Sequence, residues 1–354
     1  MGKLSKFAIV FDNNCTQFHP GQKVYGSVVM ALSEPMEMKG IRINVQGKGW
    51  CQWSQTVGQS TSVYGGSENL FAVQAWIHGN STKFTNDAGR FSYRFYFVLP
   101  SALPSSFEGP HGFIRYHIFA EIVIPWAFNH KTGRKFTVFE LIDTNLPIYN
   151  SVRPSSSNDK DVGCCCCYAG PLELTASIDR KAYCSGEHIL ITAMVQNNTN
   201  REMYGMKAEL YQYVQYIGKS FFFRENKLTV KKISIVKDGQ SCHWKNQPLL
   251  IPVATPTSFK SKVIKVWYAL SVEIDVSWGF NLTATLYVTM GTVPHSSSQS
   301  KPCSSSIGCQ TNPALQNQTP SLAAANQLSP VIDQQPVNPK LLSQPLPKNY
   351  GSMN

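Results

Sequence analysis

At 354 residues, with 42% of them hydrophobic, the chain has room for two cores and some unstructured sequence. Only 15% are charged, and Lys plus Arg exceed Asp plus Glu by 32 to 21, a formal charge of +11. This argues against solvated amphipathic helices. It favours acidic partners such as anionic headgroups, phosphorylated tails or nucleic acid, without choosing among them.

The many Tyr, Phe, Val, Thr and Ile residues suit pleated, half-buried strands, so an all-β chain is the first expectation. The opening Met1-Gly2-Lys3-Leu4-Ser5-Lys6-Phe7 lacks the apolar run of a signal peptide. Its Met-Gly start resembles a myristoylation motif, which wants Ser or Thr where Lys6 stands. No later stretch reaches the ~18 apolar residues of a membrane span. These features place the chain in the cytosol, where its ten cysteines are expected as thiols. The sequons at Asn80, Asn197, Asn281 and Asn317 are then chance matches.

Along the chain, Pro20-Gly21-Gln22-Lys23-Val24-Tyr25-Gly26-Ser27-Val28 is a Gly-Gln turn feeding an alternating strand. Phe91 to Leu99 and Phe113 to Ile124 also alternate, and Asn129-His130-Lys131-Thr132-Gly133 supplies turn chemistry before a strand from Phe136 to Leu141. Leu146-Pro147-Ile148-Tyr149 is expected as a strand end, with Pro147 breaking the ladder. The polar residues 150–163 cannot bury enough apolar surface to offset their ordering entropy and are expected as a linker. Ser185-Gly186-Glu187-His188-Ile189-Leu190-Ile191 then repeats the Gly-Gln/Glu turn and suggests two copies of one sandwich plan.

In Lys262 to Ile274, residues Ile264, Val266, Tyr268, Leu270, Val272 and Ile274 share one face. In Asn281 to Met290, Leu282, Ala284, Leu286, Val288 and Met290 do the same. After Pro294 the sequence turns to Ser, Gln, Asn and Pro, expected as a disordered tail. The boundaries are thus a first β-sandwich over 1–149, a linker over 150–163, a second sandwich over 164–294 and a tail over 295–354.

Several of these strands carry family words. Phe107-Glu108-Gly109 leading through Gly112-Phe113-Ile114-Arg115-Tyr116 to Ala120 is one, followed by Lys135-Phe136-Thr137-Val138 and Asp143-Thr144-Asn145. The second half offers Cys164 to Cys167, Gly170-Pro171-Leu172-Glu173-Leu174 and Asp179-Arg180-Lys181-Ala182-Tyr183-Cys184-Ser185-Gly186-Glu187. It closes with Leu250-Ile251-Pro252-Val253 and with Tyr268 through Gly291-Thr292-Val293-Pro294. From about Lys6 to Pro294 the chain resembles the alpha-arrestins, the arrestin domain-containing and thioredoxin-interacting proteins.

The resemblance implies two tandem immunoglobulin-like sandwiches of arrestin type, no catalytic site and no cofactor. It also implies a role in sorting membrane proteins into endocytic or endosomal routes, with membrane-protein cargo tails as partners. Typical members recruit HECT-type ubiquitin ligases through pro-pro-x-tyr motifs that dock in WW-domain grooves. This chain has no Pro-Pro pair. Its nearest substitute is Leu146-Pro147-Ile148-Tyr149, with Leu146, Pro147 and Tyr149 as the contact residues. In the tail, Pro336 and Pro339 frame a pro-x-x-pro pattern, read either as a ligand of a proline-binding module or as a chance match. Leu341-Leu342 lacks the upstream acid of a sorting signal.

Cys164 and Cys167 have the gap of a zinc half-site, but a second pair is missing, so packed thiols, acylation and metal stay open with packing favoured. No Gly-x-Ser-x-Gly elbow, phosphate loop or His-Glu-x-x-His helix is present, and His111 and His117 read as polar residues at a sheet edge. No enzyme is expected. Arg224, Lys227, Lys231, Lys232, Lys262 and Lys265, with Lys219 and Lys260 nearby, are the candidate positive face for phosphorylated tails or an anionic membrane. The alternative is an ordinary solvated face.

The chain is therefore expected to be a cytoplasmic adaptor recruited to plasma membrane or endosomes, linking cargo to ubiquitin ligase or coat machinery, with nucleic acid excluded as a partner. Its rival is a scaffold or redox-linked signalling protein that sequesters a partner through an exposed thiol such as Cys242, which follows a turn.

Overall fold

The alternating segments form strands in the computed structural model, which describes residues 3–164, 167–232, 240–253, 255–276 and 279–296 and gives only the backbone of 163–164, 167–169 and 231–232. The first half contains β1 (Leu4–Phe11), β2 (Gln17–Phe18), β3 (Lys23–Leu32), β4 (Met36–Val57), β5 (Ser60–Asn86), β6 (Gly89–Val98), β7 (Phe107–Gly109), β8 (Gly112–Val123) and β9 (His130–Val138). A single helical turn, α1 (Pro147–Asn150), follows. The second half contains β10 (Ser155–Cys164), β11 (Cys167–Ile178), β12 (Ala182–Cys184), β13 (His188–Asn197), β14 (Gly205–Ile217), β15 (Phe221–Lys232), β16 (Ser241–Leu250), β17 (Phe259–Lys260), β18 (Ile264–Asp275) and β19 (Leu282–Gly291).

Each half is a two-sheet sandwich. In the first, β1-β3-β6 faces β2-β9-β8-β4-β5, with β7 paired to β8; in the second, β10-β11-β13-β16 faces β12-β19-β18-β14-β15, with β17 paired to β18. Adding ten to each strand number of the first half reproduces the second, apart from β10. Inward residues such as Val24, Val28, Ile43, Val45, Ile118 and Ala120 fill the first core, and Leu174, Ile191, Leu210, Leu270, Val272 and Leu286 fill the second. Fully burying side chains of this size stabilises by roughly 1.5–3 kcal/mol each for Val, Leu or Ile.

The likeness extends to single hydrogen bonds. Gly21 and Gly186 take φ of +79° and +84°, which a side chain would strain, and each donates its N–H to the end of the neighbouring strand in its sheet, to Leu99 O and to Ile251 O, both at 3.1 Å. The Gly-Gln/Glu repeat seen in sequence therefore marks one turn used twice. Buried Tyr116 donates its hydroxyl to Pro104 O at 2.6 Å, and buried Tyr268 donates to Pro256 O at the same distance and sequence separation.

The two sandwiches meet along the β4–β5 and β14–β15 hairpins. Cys51 Sγ donates to Ile217 O at 3.3 Å, Trp53 stacks on Phe222 at 6.1 Å between centroids, and a side chain at Gly218 would strike the Gly65 carbonyl. Phe107 packs on Phe259, and Thr257 donates to Ser105 Oγ at 2.9 Å. A second tie joins the two chain ends: Thr144 donates to Val293 O from its backbone at 3.2 Å and its hydroxyl at 2.8 Å, and Asn145 Nδ2 donates to Pro294 O at 3.0 Å.

Several expectations change. Residues 155–163, placed in the linker, form β10 together with Cys164, and the strand pairs antiparallel with β11 through Ser155↔Ser177 to Cys164↔Cys167. An edge strand needs its backbone hydrogen bonds satisfied on one side only, so polar side chains suffice and the composition was misleading. Asn129 to Gly133, expected as a turn, lies mostly within β9; the turn is residues 124–129, before it. Leu146 to Tyr149 is no strand end: Pro147 opens a helical turn, its fixed φ suiting the first helical position. His111 is not an edge residue but packs edge-on against Tyr216 and Phe222 at the seam between domains. Cys51 and Cys242 are thiols, whereas Cys15 is disulfide-bonded, against the expectation of thiols throughout.

Candidate interaction surfaces

Side chains alternate along a strand, so the residues of β4 and β8 that do not enter the first core line one outward face. On it Trp50 lies opposite Phe113, Lys48 opposite Arg115, Gln46 opposite His117, and His117 opposite Lys135 of β9. Trp50 and Phe113 stack at 5.6 Å between centroids, and the Arg115 guanidinium sits 3.8 Å over the Phe113 ring. Arg115 also donates to both oxygens of Glu108 at 2.6 and 2.7 Å, and that hydrogen bonding holds the Glu108 carboxyl below its ordinary range. No salt bridge to Lys48 or Lys135 is found among the described residues.

Like charges placed directly across strands repel. The repulsion registers on His117, whose pKa is pushed down first by burial and then by Lys135 and Arg115. Chemically the face offers unneutralised cations beside stacked rings, a surface that an anionic, partly apolar extended peptide would fit.

The matching face of the second domain is built from the same strands of its sheet but is charge-balanced. Lys207 Nζ lies 3.1 Å from both Glu273 and Asp275, and Lys227 Nζ lies 2.8 Å from the buried Glu209, which also accepts from the Tyr211 hydroxyl. Burial works against ionising Glu209, but the Lys227 and Tyr211 hydrogen bonds outweigh it and keep the carboxyl below its ordinary range. Further along this face Trp267 stacks on Tyr213 at 5.6 Å and meets Phe223 edge-on at 5.9 Å.

Two family models match the chain in tandem: Arrestin (or S-antigen), N-terminal domain, over residues 7–145, and Arrestin (or S-antigen), C-terminal domain, over residues 169–295. Relatives include mouse (Mus musculus) Arrestin domain-containing protein 4, 28% identical over 83% of this chain and 74% of its own length. Arrestin domain-containing protein 17 of Caenorhabditis elegans is 28% identical over 83% and 72%, and human (Homo sapiens) Thioredoxin-interacting protein is 25% identical over 82% and 75%. The chain is an alpha-arrestin. Arrestin-family proteins are non-enzymatic adaptors that bind partner proteins, and adaptor or signalling work in that general sense is this alpha-arrestin's class. Among its described residues no helix is long and apolar enough to cross a membrane, and no group of three His, Cys, Asp or Glu could hold a metal.

The alpha-arrestin does not gather the expected basic residues on one face. Arg224 pairs with inward-facing Val214 and lines a cleft of about 380 Å³ between the domains, beside Phe107, Gly109 and Pro256. There it donates to Asn226, which donates to Gln212, which donates to Tyr268. Lys227 points to the opposite face and is neutralised by Glu209. Lys265 lies on that same outer face, two residues from Trp267, while Lys262 sits at the domain seam with its N–H donating to Glu68 at 2.8 Å. The side chains of Lys231 and Lys232 lie outside the described residues.

In α1, Leu146 and Pro147 are exposed and Tyr149 is half-buried, so docking in a WW groove as an extended strand would require the turn to open. Pro336, Pro339, Leu341-Leu342 and the side chains of Cys164 to Cys167 lie outside the described residues. The Cys242 thiol is half-buried in β16, and burial pushes its pKa up, away from the reactive thiolate.

What sequence reading missed is the cation row of the first domain. Lys48, Arg115, His117 and Lys135 are scattered over 88 positions and meet only through strand register. The alternation of Arg115 and His117 with Ile114, Tyr116 and Ile118 was the available signal, since it put both on the outer face.

Proposed function

We propose that this alpha-arrestin is a cytoplasmic trafficking adaptor, recruited to plasma membrane or endosomes, that holds membrane-protein cargo tails on the outer face of its first domain. The observation that supports it is the cross-strand cation pair Lys48–Arg115, with Lys135 opposite His117 on the same face, beside the Trp50–Phe113 stack. An acidic or phosphorylated tail would relieve the repulsion there and lay its apolar residues on the rings. Residues 295–354 and the exposed turn at Leu146–Tyr149 would carry the link to ubiquitin ligase or coat machinery, so that several weak contacts combine through effective concentration. The rival, a scaffold acting through a reactive Cys242, is weakened by the upward shift of that thiol.

Proximity labelling in cells tests the reading. Wild type should label membrane proteins together with ubiquitin ligases or coat proteins, and the Lys48→Glu/Lys135→Glu variant should lose the membrane proteins while keeping the machinery. Labelling dominated by thiol-redox proteins, or a variant that keeps all its cargo, would reject it.

A further inference from the structure

The β8–β9 and β18–β19 hairpins end in the same short sequence, Trp126-Ala127-Phe128-Asn129 in the first domain and Trp278-Gly279-Phe280-Asn281 in the second. The closing Asn works alike in both. Asn129 Oδ1 accepts from Ile124 N at 3.0 Å while its amide donates to Glu121 at 2.9 Å; Asn281 Oδ1 accepts from Val276 N at 3.1 Å while its amide donates to Glu273 and Asp275. The amide thus pins the base of each turn, and in the first domain Trp126 and Phe128 ride on the tip.

At the first tip the rings stand clear of the protein: Trp126 is 102% and Phe128 97% exposed. Trp126 also holds φ at +55°, a left-handed conformation unusual for a bulky residue. Two large rings left wholly in water on a braced, strained turn contribute nothing to the fold, and such outliers mark positions kept for another purpose.

The tip's surroundings narrow what it meets. Val123 pairs with Gly40, and Ile122 with His130, so Lys39, Arg42, Lys83 and Lys131 lie at this end of the sheet with Glu37 and Glu121, and the adjoining strand ends and turns add Lys3 and Arg90 with Glu34 and Asp87. Six cations against four carboxylates leave a positive collar. The second tip differs: Lys207 is paired with both Glu273 and Asp275, and Lys160 is tied to the Phe280 carbonyl at 2.8 Å and sits 5.7 Å from its ring. The Gly112 end of β8 lies beside Cys51, at the seam with the second domain, so the Trp126 tip points away from it.

We infer that the Trp126–Phe128 tip is a docking point for an anionic lipid bilayer. Two protruding rings bury roughly 150–250 Å² each, well short of the ~800 Å² per side that a stable protein interface needs. A bilayer interface demands no shaped pocket. It accepts amphipathic rings singly, and it rewards the positive collar when the lipids are anionic. This rests on the adaptor reading only in that the chain must come to a membrane surface.

Flotation of the full chain with vesicles of phosphatidylcholine containing one-fifth phosphatidylserine tests the inference. Wild type should float, pure phosphatidylcholine should capture at least several-fold less, and Trp126→Ala/Phe128→Ala should lose about tenfold in apparent affinity with unchanged melting temperature. Phe280→Ala should float as wild type does. Acyl-brominated lipid should quench a fluorescence component that Trp126→Phe removes while that variant still floats. No flotation of wild type, full flotation of the double alanine variant, or a Trp126-dependent self-association without vesicle binding would overturn the bilayer assignment. Binding of a doubly phosphorylated peptide to the Lys48 face, measured beside it, reports separately on the adaptor reading.

Discussion

The outer faces of the two domains come from the same strand order, and Arg42–Glu121 on one matches Lys207–Glu273 on the other, yet where the first then sets Lys48 opposite Arg115 the second sets Tyr213 opposite Trp267. The second face has settled its charges internally through Lys207, Lys227, Glu209, Glu273 and Asp275. On the first, only Arg115 among the cation row has a carboxylate, Glu108. Duplication of a fold therefore did not duplicate its electrostatics, and a surface that leaves like charges opposed gives up some stability that a ligand can restore. That difference singles out the first face as the binding face.

The comparison is sharpest inside the cores. Tyr116 makes one hydroxyl contact, to Pro104 O, whereas Tyr268 both donates to Pro256 O and accepts from Gln212 Nε2 at 2.9 Å. Each buried group left without a partner costs about 1–3 kcal/mol. Tyr268→Phe should therefore destabilise about twice as much as Tyr116→Phe in urea denaturation, the second strand being part of a chain that reaches Arg224 in the cleft. Equal losses would mean that the Gln212 contact adds nothing and that the two tyrosines are interchangeable.

A smaller effect should carry opposite signs on the two faces. Lys227→Met takes the ion pair from the buried Glu209 carboxylate and leaves it the Tyr211 hydroxyl, so it should lower stability, by less than the loss of a fully buried pair because Lys227 itself is half in solvent. Lys48→Met removes a like-charge contact and should be neutral or stabilising by a few tenths of a kcal/mol. Urea midpoints read both. Loss of stability in Lys48→Met comparable to Lys227→Met would mean that the first face is also internally satisfied.

How far the sequence reached depends on what each signal encodes. Alternation reports burial, so Ile264 to Ile274 and Leu282 to Met290 were assigned to their inner face and every one is buried. Composition reports the balance of apolar surface, so it failed at β10, where polar residues are held by backbone pairing alone, and at β9, whose first residues carry turn-like side chains on an outer face. Sites failed for a different reason. Arg224 and Lys227 are three residues apart on one uninterrupted stretch of β15, so strand alternation itself sends them to opposite faces. Lys48 and Arg115 are distant in sequence and are joined by register that no short pattern encodes.

The smallest effect is the most direct probe of the difference between faces. Because burial, Lys135 and Arg115 disfavour the imidazolium of His117, its folded pKa lies below the ordinary 6.5. The unfolded chain then binds the proton more readily, so stability held at neutral pH declines as pH falls from about 6.5 through the folded value. Lys135→Gln should move the His117 titration, followed by its ring proton resonances, part of the way back up, only part because burial is the leading cause. A peptide rich in Asp and Glu, which keeps its charge in this window, should move it up further, since an anion favours the charged ring, and by linkage such a peptide should bind more tightly as pH falls toward the folded value. An anionic peptide that binds with no pH dependence and leaves the His117 titration unmoved is bound somewhere else, and the opposed cations of the first face would then be no more than a tolerated repulsion.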